Sequence, residues 1–147
     1  MINVTGTVDV SRPSGAVFAF LADPANAPQW QSELSHSELL TDGPVRLGSQ
    51  FKETVKFLGR PIELICEYVE FEPGRKMVFQ SRNAKAMQFD VTFLVEPRSP
   101  GAAQVTVSSS TRLGGALRLL EPLFAGEIKN ASKKELQKLK AAVEAAA

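Results

Sequence analysis

At 147 residues the chain has the usual length of one domain, here taken as 1–147, and is long enough to bury a hydrophobic core. Its 17 Lys and Arg against 16 Asp and Glu supply no net field for nucleic acid or an anionic surface, and a single cysteine beside a single histidine excludes an internal disulfide and argues against a zinc site or any multi-cysteine metal centre. Ile2-Asn3-Val4-Thr5 has neither the basic nor the apolar run of a secretory signal, and no segment is apolar for the length of a bilayer, so a cytoplasmic protein without stable membrane insertion, and without a cofactor, is expected.

Residues 2 to 11 alternate Ile2, Val4, Gly6, Val8 and Val10 against Asn3, Thr5, Thr7, Asp9 and Ser11, the period of a strand with one buried face. Ser11 is suited to cap a following helix that Pro13 begins, with Ala16, Val17, Phe20 and Leu21 as its apolar face. Asp23-Pro24 ends that helix, and Ala25 to Trp30 forms a second short helix or turn. Trp30, the sole tryptophan, is expected to plug one end of the core and secondarily to touch a ligand.

Strands follow at Ser32 to Thr41 and Gln50 to Leu58, separated by Asp42-Gly43-Pro44 and Gly48. In the strand from Ile62 to Glu72 the apolar phase runs through Ile62, Leu64 and Cys66 and then slips by one residue to Val69 and Phe71, which predicts a β-bulge near Glu67 to Val69. A strand at Lys76 to Arg82 leads through an Asn83-Ala84-Lys85 turn into Met87, Phe89, Val91, Phe93 and Val95, the clearest alternation in the chain. The last strand spans Ala103 to Arg112.

From Gly114 to Ala147 the pattern becomes helical, with Leu117, Leu120, Phe124, Ile128, Leu136, Leu139 and Val143 along one side. Pro122 interrupts it. Either the axis kinks there, or the helix proper begins near Glu121-Pro122 with Ala116 to Leu120 as a separate turn. In both cases the Leu117 to Phe124 segment is weakly pinned by its own hydrogen bonds and is read as a gate. The lysines from Lys129 to Lys140 fall mostly on the solvated side.

The order is therefore strand, two short helices, six strands and a long helix. Short links between successive strands require antiparallel neighbours. The expected α+β architecture is a curved seven-stranded antiparallel sheet wrapped around a long C-terminal helix, with two short helices between strands 1 and 2.

Phe20-Leu21-Ala22-Asp23-Pro24 leading to Trp30, then Leu39, Asp42-Gly43-Pro44, Gly48, Phe51, Phe71-Glu72-Pro73 and Gly114-Gly115-Ala116-Leu117 opening a helix that ends in Leu139-Lys140, follow one another in an order that resembles the polyketide cyclase/dehydrase-like branch of the START and birch-allergen-like superfamily. The resemblance spans essentially the whole chain, and its motifs are structural. It implies a helix-grip fold whose cavity, between sheet and terminal helix, commonly takes an apolar or amphipathic small molecule. Members include lipid, sterol and hormone carriers, aromatic-polyketide cyclases, ring-hydroxylating oxygenase domains and chaperone-binding modules.

If the apolar phase of each strand marks the cavity side, the inward polar groups are Glu53, Ser81, Ser109 and Thr111, with Tyr68 depending on the bulge. Buried, Glu53 would have a raised pKa and serve as a base; as an edge carboxylate, the more ordinary expectation, it would reach solvent or an arginine. His36 is the one imidazole, flanked by Ser35 and Ser37 in a weakly patterned strand, and its facing is undecided. Cys66 reads as a packing residue, and neither a Gly-x-Ser-x-Gly elbow nor a phosphate-binding glycine loop is present.

Nine Phe beside one Tyr and one Trp make a phenylalanine-heavy interior. Phe51, Phe57, Phe79, Phe89 and Phe93, with Phe124 from the helix and the adaptable Met77 and Met87, would favour an apolar ligand at about 25 cal/mol per Å² buried. The leading expectation is a hydrophobic or amphipathic ligand, lipid-like or polyketide-like. It would be held by Trp30, Phe51, Glu53, Tyr68, Phe79, Met87, Phe89, Phe93, Ser109, Thr111, Leu117, Leu120 and Phe124, and admitted at the end bordered by Trp30, the Asp42 to Gly48 loop and the Leu117 to Phe124 turn. The alternatives are a cyclase or dehydratase using Glu53 or His36 as base, with Ser109, Thr111 or Tyr68 polarising a carbonyl, and a protein-interaction module. Monomer and homodimer are both compatible with the sequence.

Overall fold

The computed structural model describes residues 1–57, 59–82 and 87–146; Leu58, the side chain of Phe57 and the expected turn at Asn83-Ala84-Lys85 lie outside the described residues. Strand β1 (Ile2–Val10) is followed by helix α1 (Ser14–Leu21) and a 3-10 helix, Pro24–Gln29. Strands β2 (Leu34–Leu39), β3 (Gln50–Phe57), β4 (Arg60–Glu72), β5 (Lys76–Ser81), β6 (Met87–Ser99) and β7 (Ala102–Leu113) come next, then a second 3-10 helix, Gly115–Leu120, and helix α2 (Glu121–Ala145).

All seven strands form one antiparallel sheet in the order β1-β7-β6-β5-β4-β3-β2. Strands β2 to β7 are joined by hairpins, and β1 lies beside β7. The segment carrying α1 and the first 3-10 helix is thus the one connection that crosses from one sheet edge to the other. Turns close where the backbone needs a glycine: Gly74 adopts φ 81° after Pro73.

The expected bulge is present in β4, where pairing jumps from Tyr68 opposite Phe79 to Glu70 opposite Val78. Val69 is the extra residue, so Tyr68 and Phe71 both face inward. A second irregularity lies in β2 between Leu34 and His36. Ser35 is the extra residue there, which brings Ser37 rather than His36 to the inner face.

One reading of the helices is corrected, and one pair of alternatives is decided. Ser11 does not cap α1: the cap position is Pro13, whose carbonyl accepts the Val17 N–H at 3.1 Å, while the Ser11 N–H donates to Glu144 Oε2 at 2.8 Å. Of the two alternatives for the C-terminal helix, a kinked axis from Gly114 or a helix beginning near Glu121-Pro122 after a separate turn, the second is present. It starts at Glu121, with Pro122 in the first turn, where the missing N–H had no partner to lose. Asp23, by contrast, both ends α1 and caps the first 3-10 helix, accepting the Ala25 N–H at 3.1 Å.

Helix α2 is held to the sheet unevenly. Leu136, Leu139 and Val143 in its second half are buried, and Gly6 in β1 lies so close beneath Leu136 that a Cβ there would meet its Cδ1. Polar links reinforce the same half. Lys140 Nζ donates to the Asp9 carbonyl at 3.0 Å, Lys138 Nζ to Ser32 Oγ at 3.1 Å, and Arg12 Nη1 to the carbonyls of Val143 (3.2 Å) and Ala146. In the first half no described residue is fully buried, and Phe124, Ile128 and Ala131 are half-buried. Glu121 secures its start by accepting the Leu113 N–H at 3.0 Å and the N-terminal amine at 2.7 Å; these hydrogen bonds, the amine's first, hold its carboxyl below the ordinary value.

Candidate functional site

The interior between sheet and helices is divided. At the end covered by α1 and the first 3-10 helix, aromatic rings interlock into a continuous cluster. Phe18 meets Phe71 (ring centroids 5.6 Å apart), Phe71 meets Tyr68 (5.8 Å), Tyr68 meets Phe51 (5.2 Å), Phe51 meets Phe79 (5.0 Å), Phe79 meets Phe93 (5.8 Å) and Phe93 meets Trp30 (5.9 Å). Most are steep edge-to-face contacts that satisfy the ring quadrupoles. Five of the residues expected to line a ligand cavity, Trp30, Phe51, Tyr68, Phe79 and Phe93, are therefore packed against one another.

Within that cluster a small, partly open space of about 20 Å³ remains, and Ser37, Glu53 and Tyr68 line it together with the polar side chains of Asp23 and Gln31. The pairing explains why they meet. Ser37 lies opposite Glu53 across β2 and β3, Phe51 lies opposite Cys66 across β3 and β4, and Tyr68 is the next inward residue after Cys66. Glu53 is only 5% exposed, which corrects the expectation that it reaches solvent or an arginine: β2 covers the strand that carries it. Its hydrogen-bond partner is the thiol of Cys66, which donates to Oε1 at 3.5 Å. Burial pushes the Glu53 carboxyl up to about 7, against the smaller downward pull of that thiol. Burial, and then the neighbouring Glu53 charge, push the Cys66 thiol and the Tyr68 hydroxyl up as well. Ser37 Oγ is buried and, among the described residues, has no hydrogen-bond partner.

The larger space lies elsewhere. Under the first half of α2 a groove of about 530 Å³ opens between the helix and the sheet. Val55 from β3, Met87 from β6, Leu113 from β7 and Phe124, Ile128 and Ala131 from α2 make it apolar, with Glu33, Lys56 and Glu127 also along it. The volume falls within the usual range of small-molecule sites, about 300–1,000 Å³. Of the gate segment, Leu117 and Phe124 are half-buried and Leu120 is exposed, and Leu119 and Leu123 beside them lie 84% and 72% exposed.

The remaining expected residues are scattered. Ser109 and Thr111 are on the inner face opposite Val91 and Phe89, and Ser81 takes the Phe89 N–H at 3.0 Å. Phe89 borders a separate, polar cleft of about 370 Å³ with Gln88, Asp90 and Arg112. His36 is exposed on the outer face, its Nε2 3.6 Å from Glu38 Oε2. The expected access route is divided too: Trp30 is core, the 42–48 loop borders a shallow cleft beside α1, and the turn leading to Phe124 adjoins the groove. Sequence reasoning missed Ser37, whose inward facing depends on the bulge at Ser35, and it missed Val55, Leu113, Ile128 and Ala131 as groove residues, although Ile128 was already on the helical stripe. Among the described residues no group of three or more His, Cys, Asp or Glu could hold a metal ion, and no helix is long and apolar enough to cross a membrane.

A family model described as polyketide cyclase / dehydrase and lipid transport matches residues 1–144. No curated protein matches the chain. Among solved structures, an aromatase/cyclase, Zhui from Streptomyces sp. R1128, superposes with TM-score 0.79 at 15% identity, covering 97% of this chain and 93% of its own. A START superfamily protein from Mycobacterium smegmatis gives 0.74 at 17% identity, with 98% and 95% covered. The di-domain ARO/CYC BexL from the BE-7585A biosynthetic pathway gives 0.70 at 21% identity over 98% of this chain; the chain spans only 47% of that protein. At these identities the likeness is one of fold.

Proposed function

Since the chain belongs to the polyketide cyclase / dehydrase and lipid transport family, we propose that it binds a hydrophobic or amphipathic small molecule, lipid-like or polyketide-like, in the groove beneath the first half of α2. The observation that carries this reading is the groove itself. It is an apolar space of about 530 Å³ that the helix leaves unfilled while its other half is tightly packed. Water in such a space gains few hydrogen bonds, and an apolar ligand replacing it is favoured by about 25 cal/mol for each Å² removed from solvent. The exposed Leu119 and Leu123 beside the groove offer an incoming apolar molecule a first contact.

The test is a titration with Nile red, a neutral apolar dye, on the wild type and on Ala131→Trp. Ala131 is half-buried and faces the groove, so an indole there fills the space without emptying the core. Saturable binding to the wild type and loss of most of it in the variant are expected; equal binding by both proteins would sink the groove as the ligand's seat.

A cyclase or dehydratase activity is a second reading, favoured by one observation. Glu53 is buried with its carboxyl near 7, so close to neutral pH it exists in both protonation states, as a proton-transferring group requires. Turnover of an aromatic polyketide precursor that disappears in Glu53→Gln while the fold persists would support it, and unchanged turnover would remove Glu53 from that role.

A further inference from the structure

We propose that the small space between Ser37, Glu53 and Tyr68 is a subsite for one uncharged oxygen, a hydroxyl or a carbonyl, carried at the inner end of the molecule that occupies the groove. The inference rests on the groove reading and narrows its ligand to neutral, singly oxygenated amphiphiles such as long-chain alcohols and ketones, as distinct from fatty-acid anions.

Three observations converge on it. Among the described residues Ser37 Oγ, which is buried, has no partner, and an unpaired buried hydroxyl costs about 1–3 kcal/mol unless something pairs with it. Opposite it, the carboxyl of Glu53 has a single long thiol contact and unused hydrogen-bonding capacity. The space they enclose, about 20 Å³, exceeds the roughly 10–15 Å³ that one water-sized group needs and is too small for two. Phe51, Phe79, Phe93 and Trp30 supply aromatic surface around it, and Asp23 and Gln31 are the further polar side chains on its wall.

Charge sets the selectivity. Among the described residues no Lys or Arg lines this space, and Asp23, the other ionisable side chain on its wall besides Glu53 and Tyr68, is acidic. A ligand carboxylate would therefore sit beside acidic side chains with no counter-ion, in a space largely removed from solvent. A hydroxyl can donate to Glu53 and accept from Ser37, and a carbonyl can accept from Ser37 and from the protonated Glu53.

Position links the subsite to the groove. Val55 lines the groove and Glu53 lines the small space, and they are successive inward residues of β3, with Cα atoms about 7 Å apart along a strand. Leu34, buried opposite Val55, lies on the same strand as Ser37.

The experiment is displacement of Nile red by decane, decan-1-ol, 2-decanone and decanoate, at pH 7.5, from wild type, Ser37→Ala, Glu53→Gln and the blocked Ala131→Trp protein. For the wild type, decan-1-ol and 2-decanone should displace the dye at concentrations about fivefold or more below decane, one hydrogen bond's worth, with decanoate weakest. Ser37→Ala should lose the alcohol preference while keeping its affinity for decane and a melting temperature equal to or above the wild type, since it removes a hydroxyl with no partner in the fold. Glu53→Gln should keep the alcohol preference and narrow the gap to decanoate. Equal binding of alcohol and hydrocarbon by the wild type, or an undiminished alcohol preference in Ser37→Ala, would overturn the subsite and leave the space as a site for water alone. The groove reading survives those outcomes if the dye still binds and Ala131→Trp still blocks it, whereas failure of every probe to bind, or of the block to matter, overturns both.

Discussion

Glu53→Gln offers the sharpest test of the interior. In the folded protein burial raises the Glu53 carboxyl from the ordinary 4.5 to about 7, so the native state holds a proton that the unfolded chain has released across that interval. Raising the pH through it therefore favours the unfolded chain. The stability associated with the protonated carboxyl is fully present below 4.5 and is lost by the time the pH passes 7. At about 1.4 kcal/mol for each tenfold change in proton affinity, the full swing is roughly 3 kcal/mol, or on the order of 10 °C in melting temperature for a domain of this length. Glutamine keeps the shape and the ability to accept the Cys66 thiol but has no charge to desolvate. The assay is urea denaturation of both proteins at half-unit steps from pH 4 to 8.5, analysed as wild type minus variant, which cancels the titration of every other group. The difference should fall steadily between pH 4.5 and 7 and then level, leaving the variant the more stable protein at pH 8. A flat difference across that window would refute the argument that Glu53 is held dry, and with it the hydrogen-bonding role given to the space beside it.

Other substitutions probe the frame. Gly6→Ala pushes a methyl group into Leu136 where β1 and α2 approach most closely, and should cost about 1–2 kcal/mol by urea unfolding, with Gly6→Val costing more. Arg12→Ala removes two hydrogen bonds to the last carbonyls of α2 and should lower stability by about 1–2 kcal/mol, with faster amide exchange confined at first to residues 139–146. Leu139→Ala, at a fully buried position, should cost about 2–5 kcal/mol in the same assay; a loss under 1 kcal/mol would mean that the second half of α2 is not the anchor.

Much of this was legible in the sequence because the signals were local. Alternation in β1 and β6 places Val8, Val10, Phe93 and Val95 in the core. The one-residue slip after Cys66 locates the bulge, since nothing else lets Tyr68 and Phe71 share a face. What could not be read depended on partners distant in sequence. His36 and Ser37 exchange faces through the extra residue Ser35, and the register that reveals it involves β3. Glu53 is dry because β2 lies beside β3 and because Trp30 and the 3-10 helix before it close that end of the sheet, relations that no window around Glu53 contains. The start of α2 was ambiguous for a different reason: Gly115 to Leu120 carries helical spacing yet forms a 3-10 turn, because Pro122 is accommodated without loss only in a helix's first turn.

The two halves of α2 explain why a groove exists where it does. In the second half Leu136, Leu139 and Val143 present branched side chains at successive turns, and Gly6 lets the backbone of β1 come close enough for them to fill the space. In the first half the turn nearest the anchor presents Ala131, Ser132 and Glu135 toward partly buried surroundings. The first two are short, and the third reaches out to accept the Ser32 N–H at 3.3 Å, leaving the interior. Among the described residues of this half, Phe124 and Ile128 remain as the large apolar side chains facing Val55, Met87 and Leu113, and two side chains cannot occupy about 530 Å³. The void follows from side-chain volume along the helix, so enlarging Ala131 should close it without any change in how the second half packs.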